Sequence, residues 1–405
     1  MYYSEFKNFN KYFKVYLLLI LIFCSIQLFW KHEGGTDSTI SEWLINYQGG
    51  FVRRGFLGEF FLQIAIYFKL KIRLVILTFQ ILIYASYLLL LYKYFNQIKK
   101  NFFIILSIFS PLLIVYHLAE VETLARKEVL LFIHFLILLI FFEKKKMQTT
   151  YLSLSFPILL LIWEPIIFFS GFYLIIILIG SSIISFLDFF KKILFPAIPS
   201  LIVFNLILFN NYSIENQDIM CANLQNFVGE RCYMSLGYVT SSITENYMSL
   251  LKDIKPFHLI RYSLALFIGF FPLILILSNL KKTNRIKNNF ISKIKITKLF
   301  LLASFPVLNL FLMGLDWGRW CNIFYFYSLT TIFYLIIKKY YFLDLDHVNK
   351  YLSKNFTKNN IKNFSIVLFV VFSFTWNLKA TFKEDIGSFP LYRMPAKTIK
   401  NLINF

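Results

Sequence analysis

The sequence predicts an all-α protein made of many membrane-spanning helices. Of its 405 residues, 58% are hydrophobic and 20% are aromatic, and the mean hydropathy is +0.64. A soluble domain cannot bury such a large apolar fraction in one core. The apolar residues recur along the whole chain in runs of about 15 to 23, close to the length that an α-helix needs to cross a hydrocarbon layer about 30 Å thick.

The net charge of +21 is distributed in a way that is typical of membrane orientation rather than of nucleic-acid binding. The lysines form short clusters beside the apolar segments, and such clusters usually mark the cytoplasmic side of a membrane protein. We therefore predict no nucleic-acid partner. The first apolar segment has basic residues before it and bulky residues after it, which indicates an uncleaved first span rather than a signal peptide.

Twelve apolar segments are visible, but the distribution of charge favours about eleven spans. The segments are 15–30, 56–68, 74–92, 102–118, 129–142, 151–163, 166–187, 193–210, 258–279, 299–314, 321–337 and 364–378. If all twelve crossed, several lysine clusters would lie on the wrong side of the membrane. The weakest segment, 56–68, contains Glu59 and Gln63 and is only about 20 Å long as a helix.

With 56–68 lying on the surface and the N-terminus inside, the predicted cytoplasmic segments carry 24 of the 42 Lys and Arg residues. They carry only 5 of the 21 acidic residues. We therefore predict one membrane domain over 1–405, with surface helices in a first external loop of about 31–73 and a second external loop of about 211–257. Every polar motif described below then lies on the external side.

The motif GGFVRRG, at 49–55, places Arg53 and Arg54 between glycines in the first external loop. Glycines permit a tight turn, and two guanidinium groups can bind a phosphate or diphosphate through paired hydrogen bonds. The alternatives are contact with bulk anionic lipid or capping of a neighbouring helix.

The motif DWGRW, at 316–320, lies between two apolar segments. Asp316 and Arg319 are spaced to pair on one helical turn, and Trp317 and Trp320 are typical interfacial anchors. The functional interpretation is that the tryptophan rings contact a sugar while Asp316 and Arg319 contact hydroxyls or phosphate. An ion pair with an aromatic belt is an equally good interpretation.

Two further turns contain charges next to apolar segments. The stretch EVETLARKE, at 120–128, supplies Arg126 and Lys127 as candidate ligand contacts, and Glu122 is spaced to pair with Arg126 on a helix. The WEP turn supplies Glu164, a carboxylate near the outer interface that is either functional or a helix cap.

The candidate catalytic bases are Glu33 and Asp37 in the stretch KHEGGTD, which directly follows the first span. Cys221 and Cys232 share the second external loop and are candidates for a disulfide, an assignment that the sequence leaves open. The sequence contains no nucleotide-binding or zinc-binding motif, and its five histidines do not cluster. We expect no metal site and no cofactor from these residues, although a need for a divalent metal stays open.

The arrangement of one span, a long external loop with surface helices and acids near its start, and then further spans resembles the GT-C class of integral-membrane glycosyltransferases. The whole chain shares this architecture, and Glu33 and Asp37 match the position of the acid in that class. There is a looser similarity to O-antigen polymerases, for which Arg53 and Arg54 would suit the binding of a diphosphate-linked glycan.

This resemblance implies a bacterial inner-membrane enzyme of polysaccharide biosynthesis, with a cytoplasmic N-terminus. It would transfer sugar from a polyprenyl-phosphate-linked donor at the outer face, and its partners would be membrane lipid and that lipid-linked sugar. The alternatives are a transporter or flippase of lipid-linked glycans, or a non-catalytic membrane partner. The gathering of charges at one surface and the lack of a visible repeat favour the enzyme.

Overall fold

The computed structural model describes residues 8–179, 181, 186–210, 212–285, 294–355, 357–381, 387–388 and 403. Most of these residues are helical, and very few lie in strands. The first helices are α1 (Phe9–Gly34), α2 (Ser38–Leu44), α3 (Gly55–Phe68), α4 (Ile72–Phe95), α5 (Phe102–Ile108), α6 (Tyr116–Ala119), α7 (Glu128–Phe141), α8 (Lys145–Ile162), α9 (Ser170–Leu178) and α10 (Phe186–Phe189). The remaining helices are α11 (Phe195–Leu208), α12 (Ile214–Val228), α13 (Ile243–Asp253), α14 (Pro256–Ser278), α15 (Ile296–Ser304), α16 (Leu308–Met313), α17 (Trp317–Ile337), α18 (Asp346–Asn355) and α19 (Lys358–Phe374).

The strands are short and form two antiparallel pairs. The first pair joins β1 (Leu280–Lys282) to β2 (Tyr341–Leu343), and the second joins β3 (Trp376–Asn377) to β4 (Gly387–Ser388). The first pair links the chain after α14 to the chain after α17. Its register pairs Lys281 with Phe342.

In the part of the chain that the structure describes, six helices are long and apolar enough to cross a membrane. They are Phe9–Gly34, Ile72–Phe95, Leu187–Leu208, Pro256–Ser278, Ile296–Met313 and Trp317–Ile337. The predicted all-α class is therefore confirmed, and several helices have the length and composition of membrane spans. The predicted number of about eleven spans stays a prediction.

The helix α17 lies at the centre of the structure, with 83% of its most apolar window buried inside the protein. Several of its polar groups bond to neighbouring helices, as an apolar environment favours. The hydroxyl of Tyr94 donates to the carbonyl of Thr330 at 2.7 Å, and the hydroxyls of Tyr173 and Tyr327 are 3.2 Å apart. The position of α17 places its first turn, which carries Arg319, inside the protein.

The segment 102–118 is not the single helix that its apolar composition predicts. The helix α5 ends at Ile108, and Pro111 interrupts the run because proline lacks an N–H and disfavours a helical residue before it. The amide of Asn322 donates to the carbonyl of Leu112 at 2.7 Å and to that of Leu113 at 3.2 Å. A side chain of the central helix thus stabilises an irregular backbone inside the protein.

Other elements differ from the predicted segments mainly at their ends. The DWGRW residues from Trp317 onward belong to the first turn of α17, whereas the sequence placed them in a turn between helices. The segment 166–187 begins as a 3-10 helix, Glu164–Phe169, and the regular helix after it ends at Leu178. The second external loop contains α12 and α13, so most of it is regular structure.

The ends of the helices meet in two groups. At one end, Arg73 at the start of α4 donates to the carbonyl of His32 near the end of α1, at 3.2 Å. At the other end, Lys338 after α17 pairs with Glu143 after α7 at 2.7 Å. The charged motifs lie at the first of these ends, which we call the site end.

Candidate functional site

Glu42 lies at the centre of a buried charge cluster at the site end. The helix α2 carries this carboxylate into the protein, where its side chain has no exposed surface. Arg126 contacts it at 2.7 Å from Nε to Oε2, and Arg319 contacts it at 3.3 Å from Nη2 to Oε1. Arg54 is 3.9 Å away from Nη1 to Oε1. These guanidinium groups hold the pKa of Glu42 below its usual range, although burial acts in the opposite direction.

Arg319 connects this centre to two further carboxylates. Its Nη1 donates to Asp316 at 2.9 Å, as the spacing of the two residues along the chain predicts. Its Nη2 also forms an ion pair with Glu128, the first residue of α7. One guanidinium group thus links α2, α7 and the start of α17.

Arg54 forms the second strong ion pair of the cluster. Its Nε and Nη2 donate to the two oxygens of Glu164 at 2.8 and 2.7 Å, which is the side-by-side geometry that guanidinium groups also use for phosphate. Arg53 approaches the same carboxylate at 4.0 Å. It also donates to the carbonyls of Tyr238 and Ser241 at 3.2 and 3.0 Å.

The turn that presents these arginines depends on its glycines. Gly50 has a φ of +107°, and Arg54 itself adopts a left-handed conformation with a φ of 65°. A Cβ on Gly55 would lie only 2.4 Å from the ring of Tyr47. The glycines therefore allow the turn to pack closely against the rest of the first loop.

Lys127 binds the backbone of this turn on its buried side. Its side chain is buried, and Nζ donates to the carbonyl of Arg54 at 2.6 Å. Burial lowers the pKa of Lys127 to about 7, because a buried ammonium loses its hydration. The geometry assigns Lys127 a role in positioning Arg54.

The cluster has an inner half and an outer half. The inner half consists of Glu42, Arg126, Lys127, Glu128 and Arg319, whose side chains are almost fully buried. The outer half consists of Arg53, Arg54, Glu164 and Asp316. Both arginines of the outer half are more than a quarter exposed, and Asp316 is 35% exposed.

Together the two halves contain five cationic side chains and four carboxylates. A ligand from outside reaches the outer half only, where the guanidinium groups of Arg53 and Arg54 can bind an anion.

The structure buries the two predicted sugar-contacting rings. Trp317 donates from Nε1 to the carbonyl of Phe311 at 2.9 Å and packs edge-on against Tyr262. Trp320 packs edge-on against Phe311, with ring centroids 5.6 Å apart. The contact with sugar predicted for these rings stays a prediction, and what the structure records is their packing inside the protein.

The two predicted bases lie outside the cluster. Asp37 caps the start of α2 by accepting from the backbone of Thr39 at 2.9 Å, and it forms an ion pair with Lys31. Glu33 is exposed in the last turn of α1. Since α2 rises by about 1.5 Å per residue, Asp37 lies on the order of 7 Å along the helix from Glu42.

A disulfide-bonded segment within 212–257 contacts the start of α4. Cys221 and Cys232 form a disulfide, with their Cα atoms 5.5 Å apart. Glu230, inside this segment, accepts two hydrogen bonds of 2.7 Å from Arg73. Further along the chain, the carbonyls of Tyr238 and Ser241 accept from the side chain of Arg53.

An apolar groove begins beside the arginine turn. Its volume is ≈ 730 Å³. Pockets that bind small molecules usually have volumes of about 300 to 1,000 Å³. It is lined by Phe51, by residues of α11 and by the two residues that follow α11, namely Ile198, Leu201, Ile202, Asn205, Leu206, Phe209 and Asn210. Asn210 donates to the carbonyl of Phe51 at 2.7 Å, so the groove adjoins the loop that carries Arg53.

Within the described ranges, no group of three or more His, Cys, Asp or Glu side chains is placed to hold a metal ion. The four carboxylates of the cluster instead face arginines.

Sequence reasoning identified most of the cluster but missed its centre. It selected Arg53, Arg54, Arg126, Lys127, Glu164, Asp316 and Arg319, which the structure brings together. It did not select Glu42 or Glu128. The one available indication for Glu42 was a carboxylate within the short apolar stretch ISEWLI of the first loop, an unfavourable place for a charge without partners.

The expected pairing of Glu122 with Arg126 is absent, because the guanidinium group of Arg126 turns toward Glu42. Neither the sequence nor the structure of this chain matches a known family model, a curated protein or a solved structure.

Proposed function

We propose that this protein is a membrane glycosyltransferase or polymerase that takes sugar from a polyprenyl-phosphate-linked donor at the site end. The observation that carries the proposal is the arginine pair Arg53 and Arg54. These two cationic side chains stand at the exposed edge of a cluster whose other cationic groups are buried. In this arrangement they would bind the phosphate of the donor through paired hydrogen bonds.

The groove beside Phe51 supports a lipid-linked donor. An apolar channel next to a cationic turn suits a molecule with a long hydrocarbon chain and a phosphate head. The isoprenoid chain would lie against α11, with its phosphate at Arg53 and Arg54. The sugar would then lie over the outer half of the cluster.

Asp316 is the best candidate for the base that deprotonates the accepting hydroxyl. It is the most exposed carboxylate of the cluster, and Arg319 fixes its orientation at 2.9 Å. Glu33 and Asp37, the bases that the sequence predicts, contact no residue of the cluster in the described structure. The proposed reaction therefore uses Asp316 in their place.

We infer eleven membrane crossings, with α3 on the surface at the site end. Contacts at the two ends support alternating directions for the successive segments. These segments are α1, α4, 102–119, α7, α8, Glu164–Leu178, Leu187–Leu208, α14, Ile296–Met313, α17 and α19. The site end would be the external side and the lysine-rich end the cytoplasmic side.

The proposal is tested with purified protein in lipid nanodiscs. Binding of a polyprenyl monophosphate, a polyprenyl diphosphate and the uncharged polyprenol is compared. Transfer is then followed with radiolabelled lipid-linked sugars extracted from cells that make the protein. We expect both phosphates to bind at least tenfold more tightly than polyprenol, which is about 1.4 kcal/mol.

Two variants separate binding from chemistry. Arg54→Ala should lose both phosphate binding and transfer. Asp316→Asn should keep phosphate binding but lower the rate of transfer by about 10² to 10⁴. Equal binding of phosphate and polyprenol by the unaltered protein would contradict the proposal.

A transporter or flippase of the same lipid-linked glycan is the second candidate, and the broken segment 102–118 favours it. Unwound helices inside a bundle often form the binding sites of transporters. Here the carbonyls of Leu112 and Leu113 accept from Asn322. A donor that crosses vesicle membranes with its sugar still attached would identify this function instead.

A further inference from the structure

We propose that Glu164 occupies the phosphate site of the free protein and is displaced when a phosphate-bearing lipid binds. The inference rests on the proposed function, because it assigns the partner of Arg53 and Arg54 in the absence of the ligand. It makes Glu164 a residue that weakens binding and selects for strongly anionic ligands.

The geometry of the pair supports this role. The Glu164 carboxylate receives two nearly parallel hydrogen bonds from Arg54, at 2.8 and 2.7 Å, and lies 4.0 Å from Arg53. Two oxygens of a phosphate group would accept from Arg54 in the same way. Both partners are reachable from outside, since Arg54 is 26% exposed and Glu164 is 15% exposed.

The surroundings of Glu164 also differ from those of the inner carboxylates. The described side-chain hydrogen bonds of Glu164 come from Arg54 alone, whereas the fully buried Glu42 is bound by arginines from separate segments. Displacing Glu164 therefore breaks only its ion pairs with Arg54 and Arg53, at the edge of the cluster. Removing Glu42 would disturb its centre.

A second ion pair in the same protein provides a matched comparison. Arg73 and Glu230 have the same paired geometry, with both distances 2.7 Å, and similar exposure of 25% and 12%. Asp37, which acts electrostatically on Arg73, is itself paired with Lys31. Arg54 instead adjoins a cluster with an excess of cationic side chains. An anion that replaced Glu164 would therefore keep favourable partners.

The test measures the affinity of the nanodisc protein for a polyprenyl monophosphate and a polyprenyl diphosphate. The unaltered protein is compared with Glu164→Gln, which removes the charge but keeps the shape, and with Glu230→Gln as the matched control. We expect Glu164→Gln to bind both phosphates about tenfold more tightly. Glu230→Gln should leave both affinities unchanged, and uncharged polyprenol should bind all three proteins equally.

A purely structural role for Glu164 gives the opposite result. In that case Glu164→Gln would bind phosphate no better than the unaltered protein, or more weakly, because Arg54 would lose its orientation. That outcome overturns this inference and leaves the proposed function intact, provided that the unaltered protein prefers phosphate to polyprenol. If the unaltered protein shows no such preference, both proposals fail.

Glu164→Asp serves as a second variant if Glu164→Gln does not fold. It keeps the charge but withdraws the carboxylate by one methylene group, so the pair with Arg54 weakens. We expect an affinity for the monophosphate between those of the unaltered protein and of Glu164→Gln, about threefold above the former. An unchanged or lower affinity of Glu164→Asp would also overturn the inference.

Discussion

Glu42 is the residue on which the stability of the charge cluster depends most. Its carboxylate is completely buried and contacts Arg126 and Arg319, with Arg54 close by. Glu42→Gln would leave these cationic groups without their shared counter-charge in a poorly hydrated place. We expect the free energy of unfolding to fall by about 3 to 5 kcal/mol, measured by thermal or denaturant unfolding in detergent.

Glu215→Gln is the control, because Glu215 is exposed on α12. This substitution should change the free energy of unfolding by less than about 0.5 kcal/mol. The pH dependence gives a further check. The pKa of Glu42 is lower in the folded protein than in the unfolded chain, where it is about 4.3. The stabilisation of the folded protein by the Glu42 carboxylate is therefore complete above a pH of about 4.3 and is lost as the pH falls further. The difference in the free energy of unfolding between Glu42→Gln and the unaltered protein should therefore become smaller under acidic conditions.

The irregular backbone between α5 and α6 is bound by a side chain of α17. Asn322 donates to the carbonyls of Leu112 and Leu113 and lies 3.1 Å from Nε2 of His117. Asn322→Ala would leave these buried groups without that partner. Since each unsatisfied buried polar group costs about 1 to 3 kcal/mol, we expect a loss of at least about 2 kcal/mol in thermal unfolding experiments.

Asn205→Ala is the matched control for this element. Asn205 also donates from its amide to a backbone carbonyl, that of Leu201 at 2.8 Å, but it does so on the exposed surface of α11. Its removal should change the free energy of unfolding only slightly. If Asn322→Ala were as stable as Asn205→Ala, Asn322 would not be holding the irregular segment in place.

For the whole molecule, the inferred topology places the site end outside and the lysine-rich end inside. Asn226 is exposed on α12 at the site end, and Lys146 is exposed at the start of α8 at the opposite end. A cysteine at position 226 should react with an impermeant maleimide in intact spheroplasts. A cysteine at position 146 should react only after the membrane is permeabilised.

The native cysteines give a low background in this experiment. Cys24 and Cys321 are buried, and Cys221 and Cys232 are joined in a disulfide. The unaltered protein, labelled without reductant, measures any residual reaction. Labelling of position 146 but not of position 226 in intact spheroplasts would invert the inferred topology and place the arginine turn in the cytoplasm.

The helical class and the helices long and apolar enough to span a membrane could be predicted from the sequence, because hydropathy and helical length are local properties. It also marked the polar residues that stand out against an apolar background, including Arg53, Arg54 and Glu164. Seven of the selected residues gather in the structure at one end of the helices. Their isolation within apolar sequence is the physical reason that they could be found, since buried charges need partners.

The pairing of the charges with each other depends on the tertiary structure. The spacing of Glu122 and Arg126 favours a local pair, yet Arg126 contacts Glu42, which is 84 residues away along the chain. Likewise, Pro111 marks a possible break, but the side chain of Asn322 that stabilises the break comes from a distant helix. Such pairings depend on how the helices pack, and no local pattern contains that information.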